Sequence, residues 1–383
     1  MKITVAPDSF KECLSASRVA EAMARGLRAA SPRAQVELVP MADGGEGTVD
    51  ALVAATGGRT VRTWAPDPLG RPVPAAWGLL GDGRRAVIEM AAASGLERLA
   101  VHERDPLRTS TRGTGTLIRA ALDAGVRELV VGVGGSATVD CGMGMAAELG
   151  ARFLDADGRP IEDPCGGRLA DVRAIELDGL DARLASVRVT VACDVTNPLT
   201  GPDGAAPVYA PQKGADAAAT RRLALGIESF AAVVRAATGR DVADLPGAGA
   251  AGGLAAGLLA FLGAEIRNGA RTVIEAVGLR ARMAGSALVL TGEGRLDRQS
   301  AFGKVPAAVA QEARRAGAPA VAIAGAVEPG FEKLYDMGLC AAFSICRGPI
   351  PLEEAMAHPE PLLESAAEAV LRLWLAAAQR GAD

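Results

Sequence analysis

The chain has 383 residues, 49% hydrophobic and 22% charged, enough apolar material for more than one core, so two domains are the expectation. A formal net charge of −4 offers no basic footprint and argues against a nucleic-acid partner. No stretch approaches the roughly 18 uninterrupted apolar residues of a membrane span, and the run after Met1 lacks a basic leader, so no membrane partner and a cytoplasmic location are expected.

In chain order, Ile3 to Ala6 reads as a short apolar strand. A helix capped by Ser15 or Ser17 follows, with Val19, Met23 and Leu27 on one face, then a strand from Val36 to Val39. Val61 to Trp64, Ala75 to Leu80 and Ala86 to Met90 read as strands between Gly- and Pro-rich turns, a local meander. Helices are expected at Thr114 to Ala124, stopped by Gly125, and at about Ala217 to Ala237, stopped by Gly239; Leu129 to Val133 and Val187 to Ala192 are strands. The βαβ grammar returns at the end. Ala287 to Leu290, Val321 to Ala324 and Ala342 to Ile345 are strands, Pro306 opens a helix to about Arg315, and a closing helix starts near Pro361. With aromatics at 3%, Ala, Val and Leu must fill the core, which suits helix-on-sheet α/β packing.

Glycine, lysine and carboxylates carry the chemistry. Gly44-Gly45, Gly134-Gly135-Ser136, Gly247-Ala248-Gly249, Gly252-Gly253 and Gly292-Glu293-Gly294 are glycine loops at strand ends, where backbone N–H groups can approach a phosphate. Among 41 basic residues only five are lysines, and three of them, Lys11, Lys213 and Lys304, lie beside glycines or carboxylates. Asp8, Asp43, Glu46, Glu89, Asp140, Asp194, Glu293 and Asp297 stand at strand ends or in these loops, where open α/β sheets bind ligands. These are the ingredients of phosphoryl transfer, although no GxxxxGK[ST] loop occurs. Gly132-Val133-Gly134-Gly135-Ser136-Ala137, with Asp155 further on, also fits the dinucleotide fingerprint, so a nicotinamide-dependent hydroxy-acid dehydrogenase stands as an alternative. Both histidines lie away from the glycine loops, and the helix from Gly142 is short for that fold, which weigh against it. A non-catalytic binding protein for a sugar acid is a further alternative, though it has no need of so many glycine loops. The six cysteines form no CxxC pair, so no zinc site or disulfide framework is expected.

The ordered motifs resemble the bacterial class I glycerate kinase family. They are Ala6-Pro7-Asp8-Ser9-Phe10-Lys11, Ala42-Asp43-Gly44-Gly45-Glu46-Gly47-Thr48, Gly134-Gly135-Ser136-Ala137-Thr138, Ala192-Cys193-Asp194-Val195-Thr196-Asn197-Pro198, Pro211-Gln212-Lys213-Gly214, Thr291-Gly292-Glu293-Gly294-Arg295-Leu296-Asp297 and Gly303-Lys304. Val139-Asp140-Cys141-Gly142 and Glu12-Cys13 depart from the family pattern. The resemblance implies two α/β domains. One is flavodoxin-like and doubly wound, built from residues 1–60 and 275–383; the other is a mixed α/β domain inserted at 61–274, with the active site in the cleft between them. It implies ATP-dependent phosphorylation of D-glycerate with Mg²⁺, at the 2-hydroxyl or alternatively the 3-hydroxyl, by a monomer or homodimer. Catalytic roles are expected for Asp194, Lys11, Asp8, Asn197 and Lys304. Substrate or phosphate contacts are expected for Ser9, Asp43, Gly44, Gly45, Glu46, Gly134, Gly135, Ser136, Thr138, Lys213, Gly292, Glu293 and Gly294, and metal contacts for Asp194 and Asp297.

Overall fold

The computed structural model describes residues 1–10, 13–301 and 303–380, with the side chains of 379 and 380 excepted. Lys11 therefore lies outside the described residues. The strands, in chain order, are β1 (Lys2–Val5), β2 (Gln35–Leu38), β3 (Arg59–Pro66), β4 (Pro72–Leu79), β5 (Arg85–Glu89), β6 (Glu128–Gly132), β7 (Arg152–Leu154), β8 (Ala174–Glu176), β9 (Arg188–Ala192), β10 (Glu265–Arg267), β11 (Leu288–Thr291), β12 (Arg295–Leu296), β13 (Ala320–Ala324), β14 (Ala326–Val327) and β15 (Leu339–Ser344). The chain divides into two compact units. The first is residues 1–43, 50–56 and 269–383, and the second is residues 44–49 and 57–268. The division differs from the expected 61–274 because β3, from Arg59, pairs along its whole length with β4, and because the helix Gly269–Val277 belongs to the first unit.

In the first unit a parallel sheet runs in the order β15-β13-β11-β1-β2. Its central strands are buried on both faces, as their uninterrupted apolar sequence requires; every residue of β11 and β13 is buried. The helix Ala16–Ala30 is capped by Ser15, whose hydroxyl accepts from the Arg18 N–H, and buries Val19, Met23 and Leu27 at helical spacing. It lies against the closing helix Pro359–Arg380 so closely that a Cβ at Gly26 would sit 2.0 Å from the Glu364 carbonyl oxygen. Arg18 and Arg25 close that contact through ion pairs to Glu360 and Glu364.

The second unit carries a mixed sheet, β10-β9-β6-β5-β4-β3, antiparallel from β3 to β5 and parallel from β5 to β10. The meander read from the turn residues is thus one edge of a larger sheet. The helix Arg112–Asp123 packs on the sheet's β3-β4-β5 side, while Ala217–Thr238 packs on β8 and the turn Gly166–Asp171 and is ended by Gly239 in the left-handed region at φ 71. A core of Trp77, Ile88, Leu117, Phe153 and Phe230 fills the unit.

The dinucleotide reading fails on local geometry. After β6 the chain does not turn straight into a helix. The next one, Met143–Glu148, starts past the loop 133–142, which is pinned where Ala137 N–H donates to Ser94 O and Leu96 N–H donates to Gly135 O. Asp155 directly follows β7, but β7 pairs with β8 in a separate two-stranded sheet and not with β6, and the Asp155 carboxylate accepts from the Asp157 and Arg159 N–H groups of its own turn.

Candidate active site

The first unit's sheet reverses its winding between β1 and β11, and in open α/β sheets the crevice beyond the carboxyl ends of the strands at such a reversal is the ligand site. Here the two strand ends are stitched together. Ala6 N–H donates to Leu290 O, Asp8 N–H donates to Gly292 O at 2.8 Å, and the Thr291 hydroxyl donates to Ala6 O. A cavity of about 440 Å³ opens there, lined by Asp8, Ser9, Glu293, Gly294, Asp297 and Lys304 on its charged side. Four of the sequence-marked carboxylates and lysines thus meet in one pocket.

Each charged group is held by its neighbours. Asp8 is buried, and its carboxylate accepts from the Ser9 N–H at 2.7 Å. Glu293, also buried, accepts from the Ser300 hydroxyl and has Lys304 Nζ at 3.9 Å. Burial pushes the Glu293 carboxyl up, the Ser300 hydrogen bond and Lys304 oppose the rise, and the like charges of Asp297 and Asp43 add to it. Asp297 accepts from the Gln299 and Ser300 N–H groups, which fixes the loop carrying it. Lys304 is the N-cap residue of the helix Val305–Arg315, whose first turn holds Pro306.

Gly292 serves packing rather than an open cradle: a Cβ there would lie 1.9 Å from the Ile323 carbonyl oxygen. Likewise, a Cβ at Gly325 would lie 2.5 Å from Gly294 O. The two loops after β11 and β13 approach too closely for any side chain between them.

In the second unit the glycine loops pack on one another. A Cβ at Gly132 would meet Gly44 O at 2.4 Å, and one at Gly134 would meet the Gly45 Cα at 3.0 Å. Gly44, at φ +89, lies against Ala192 at the end of β9, and the Thr48 hydroxyl donates to Gly45 O. Glu46 is exposed, as are Gly134 and Gly135, whereas Ser136 and Thr138 are buried. Asp194, just past β9, accepts from the Asn268 side-chain amide. Asn197 is engaged elsewhere: its Nδ2 donates to Asp203 O, and its Oδ1 accepts from the Tyr209 hydroxyl at 2.7 Å. One partner of Asp194 is thus a residue absent from every sequence motif, and Asn268, directly after β10, offered no pattern that would have marked it.

Lys213 is the surprise of this unit. It is 1% exposed, its Nζ donates to Thr138 O at 2.7 Å, and it stands 6.0 Å from the Tyr209 ring centroid. Burial drives its pKa down to about 7, with Asp140 opposing. Asp140 is itself fully buried and accepts from the Thr111 N–H and hydroxyl and from the Gly142 and Gly144 N–H groups. It is a hub that ties the loop after β6 to the turn before the helix Arg112–Asp123.

A parallel sheet whose winding reversal opens into a crevice of carboxylates and a lysine defines an α/β enzyme with a charged substrate. The chain belongs to the glycerate kinase family, which it matches over residues 3–375. It is 49% identical to a glycerate kinase of Bacillus subtilis (strain 168) over 367 residues, 96% of each chain. It is 48% identical to the glycerate 2-kinase of Escherichia coli (strain K12) over 355 residues, 93% of each. A solved structure from Salmonella typhimurium LT2, assigned as a glycerate kinase 2, superposes with a TM-score of 0.90 at 47% identity, covering 99% of both chains.

Proposed function

We propose that the chain transfers the γ-phosphoryl group of ATP to the 2-hydroxyl of D-glycerate, giving 2-phosphoglycerate and ADP. The observation that carries the reading is near-full-length similarity to a glycerate 2-kinase at 48% identity, together with a crevice that gathers Asp8, Glu293, Asp297 and Lys304. In this reading Asp194, held by Asn268, takes the proton of the acceptor hydroxyl as its oxygen bonds to phosphorus and the bond from phosphorus to ADP breaks. Lys304 offers a compact positive charge to the phosphates, and Lys11 is assigned the same task.

The donor set fits Mg²⁺. Carboxylates outnumber cations around Glu293, which accounts for part of the upward push on its pKa. Among the described residues no three His, Cys, Asp or Glu side chains form a ready-made metal cage, and Mg²⁺ is commonly held by one or two carboxylates together with substrate phosphates. Asp297 and Asp8 would hold it, and it supplies charge neutralisation on the phosphates. Lys213 and Thr138 are proposed to shape the loop after β6 from within, and Gly134, Gly135 and Ser136 to present it to an anionic group. The strand order, 2-1-3-4-5 when the first unit is counted alone, supports a flavodoxin-like domain, and the two units are proposed as the two domains. Among the described residues no helix is long and apolar enough to cross a membrane. All six cysteines are free thiols, which supports a cytoplasmic location.

A coupled assay for ADP tests the reading. ADP release that requires D-glycerate is expected; release indifferent to D-glycerate, or NAD reduction in the absence of ATP, would overturn it.

A further inference from the structure

The cavity at the winding reversal of the first unit has two unlike walls. Its charged residues come from the loops after β1 and β11, from β12 and the loop after it, and from the N-cap of the helix Val305–Arg315. Its apolar lining comes from the segment after β15 and the helix Leu352–Ala357: Ile345, Leu352, Ala355 and Met356, with Phe10 joining them from the loop after β1. The Cys13 thiol donates to Met356 O at 3.3 Å, tying that helix to the loop that carries Asp8.

The size and polarity of this cavity decide between the two substrates of the proposed reaction, on which this inference rests. About 440 Å³ falls within the roughly 300–1,000 Å³ of pockets that enclose drug-sized molecules, and a three-carbon acid would fill only a corner of it. Glycerate bears a polar group on every carbon and has nothing to offer an aliphatic wall. Leu352 and Met356 lie four residues apart on one helical face and remain 72% and 37% exposed, so large apolar side chains stand open to solvent at the lining of the pocket. A flat heteroaromatic ring would cover them. A molecule with such a ring at one end and several negative charges at the other matches both walls.

We propose that the wall of Phe10, Ile345, Leu352 and Met356 receives the purine ring of ATP, with the triphosphate directed toward Lys304 and the carboxylates of Asp8 and Asp297. The wall acts by contact area and by exclusion of water from the ring, so Met356 and Leu352 are determinants of nucleotide affinity and take no part in the chemistry.

Photolabelling of the full chain with 2-azido-ATP, without glycerate, tests the assignment. Label is expected on peptides covering Ile345 to Pro359 or Phe10 to Cys13. Label confined to residues 57–268, or no label that excess ATP suppresses, would overturn it. Met356→Glu places a charge at a partly exposed position where folding tolerates it. It should raise KM for ATP at least about tenfold and leave KM for glycerate within about twofold, whereas Met356→Leu should stay near wild type. Equal changes in both constants would count against the wall. Labelling at the wall with no glycerate-dependent ADP would keep the nucleotide site and remove the kinase reading; glycerate-dependent ADP with label elsewhere would do the reverse.

Discussion

Replacing Lys213 with Met should change how stability depends on pH, in a direction fixed by burial. Lys213 is 1% exposed and its pKa is pushed from 10.5 down to about 7. Between those values the unfolded chain binds a proton that the folded chain does not, so stability rises with pH across that window. A tenfold change in proton affinity is worth about 1.4 kcal/mol, so below pH 7 the buried ammonium costs about 5 kcal/mol, and from pH 7 to pH 9 the wild type regains about 2 kcal/mol of it. The Lys213→Met chain is free of that cost but strands the Thr138 carbonyl, at about 1–3 kcal/mol. It should therefore be the more stable protein at pH 6, by about 2 kcal/mol or more, and lose this lead by pH 9. Guanidinium unfolding in a Trp374→Phe background leaves Trp64 and the buried Trp77 to report on the unit that contains Lys213. Parallel pH profiles for the wild type and the Lys213→Met chain would rule out a depressed Lys213 pKa, because an ammonium with an ordinary pKa gives no such slope.

Other substitutions probe the crevice and its supports. Asp194→Asn should lower kcat by about a hundredfold or more, as loss of a proton acceptor does, and Asn268→Ala, which removes the amide donor to Asp194, should cost about tenfold; near-wild-type turnover in the first would remove Asp194 from the chemistry. Gly292→Ala should cost more than about 3 kcal/mol of stability or prevent folding, since its Cβ would overlap the Ile323 carbonyl, whereas Gly57→Ala, with open space but φ +66, should cost about 1 kcal/mol in thermal melts. Asp140→Ala should be strongly destabilising, by about 3 kcal/mol or more in denaturant titrations, because four donors lose one buried acceptor.

The features legible in the sequence were those written in short range. Ser15 before an apolar face announced the first helix, Gly239 announced the end of Ala217–Thr238, and apolar runs announced the buried strands of the first unit. The gathering of Asp8 and Glu293 was also legible, because each follows a strand of one parallel sheet and such strands end on one side; Lys304, which caps the helix Val305–Arg315, stood out only by its scarcity and its neighbour Gly303. Two kinds of residue escaped. Asn268 meets Asp194 across 74 positions through the pairing of β9 and β10, a contact no local pattern encodes. Lys213 and Asp140 carry the same letters as surface ligands, and only the packing around them turns one into an internal clamp and the other into a hub for backbone donors. Glycines were ambiguous for the same reason. Gly44, Gly132 and Gly134 look like phosphate loops in sequence, and in three dimensions they are where backbone lies on backbone.

Regiospecific phosphorylation of D-glycerate is read from the proton-coupled ³¹P NMR spectrum of the product. After incubation with ATP and Mg²⁺, a new phosphomonoester resonance split into a doublet by the single proton on C2 should appear in step with ADP. A triplet from two protons on C3 would contradict transfer to the 2-hydroxyl, and the absence of any new phosphomonoester would contradict glycerate phosphorylation altogether.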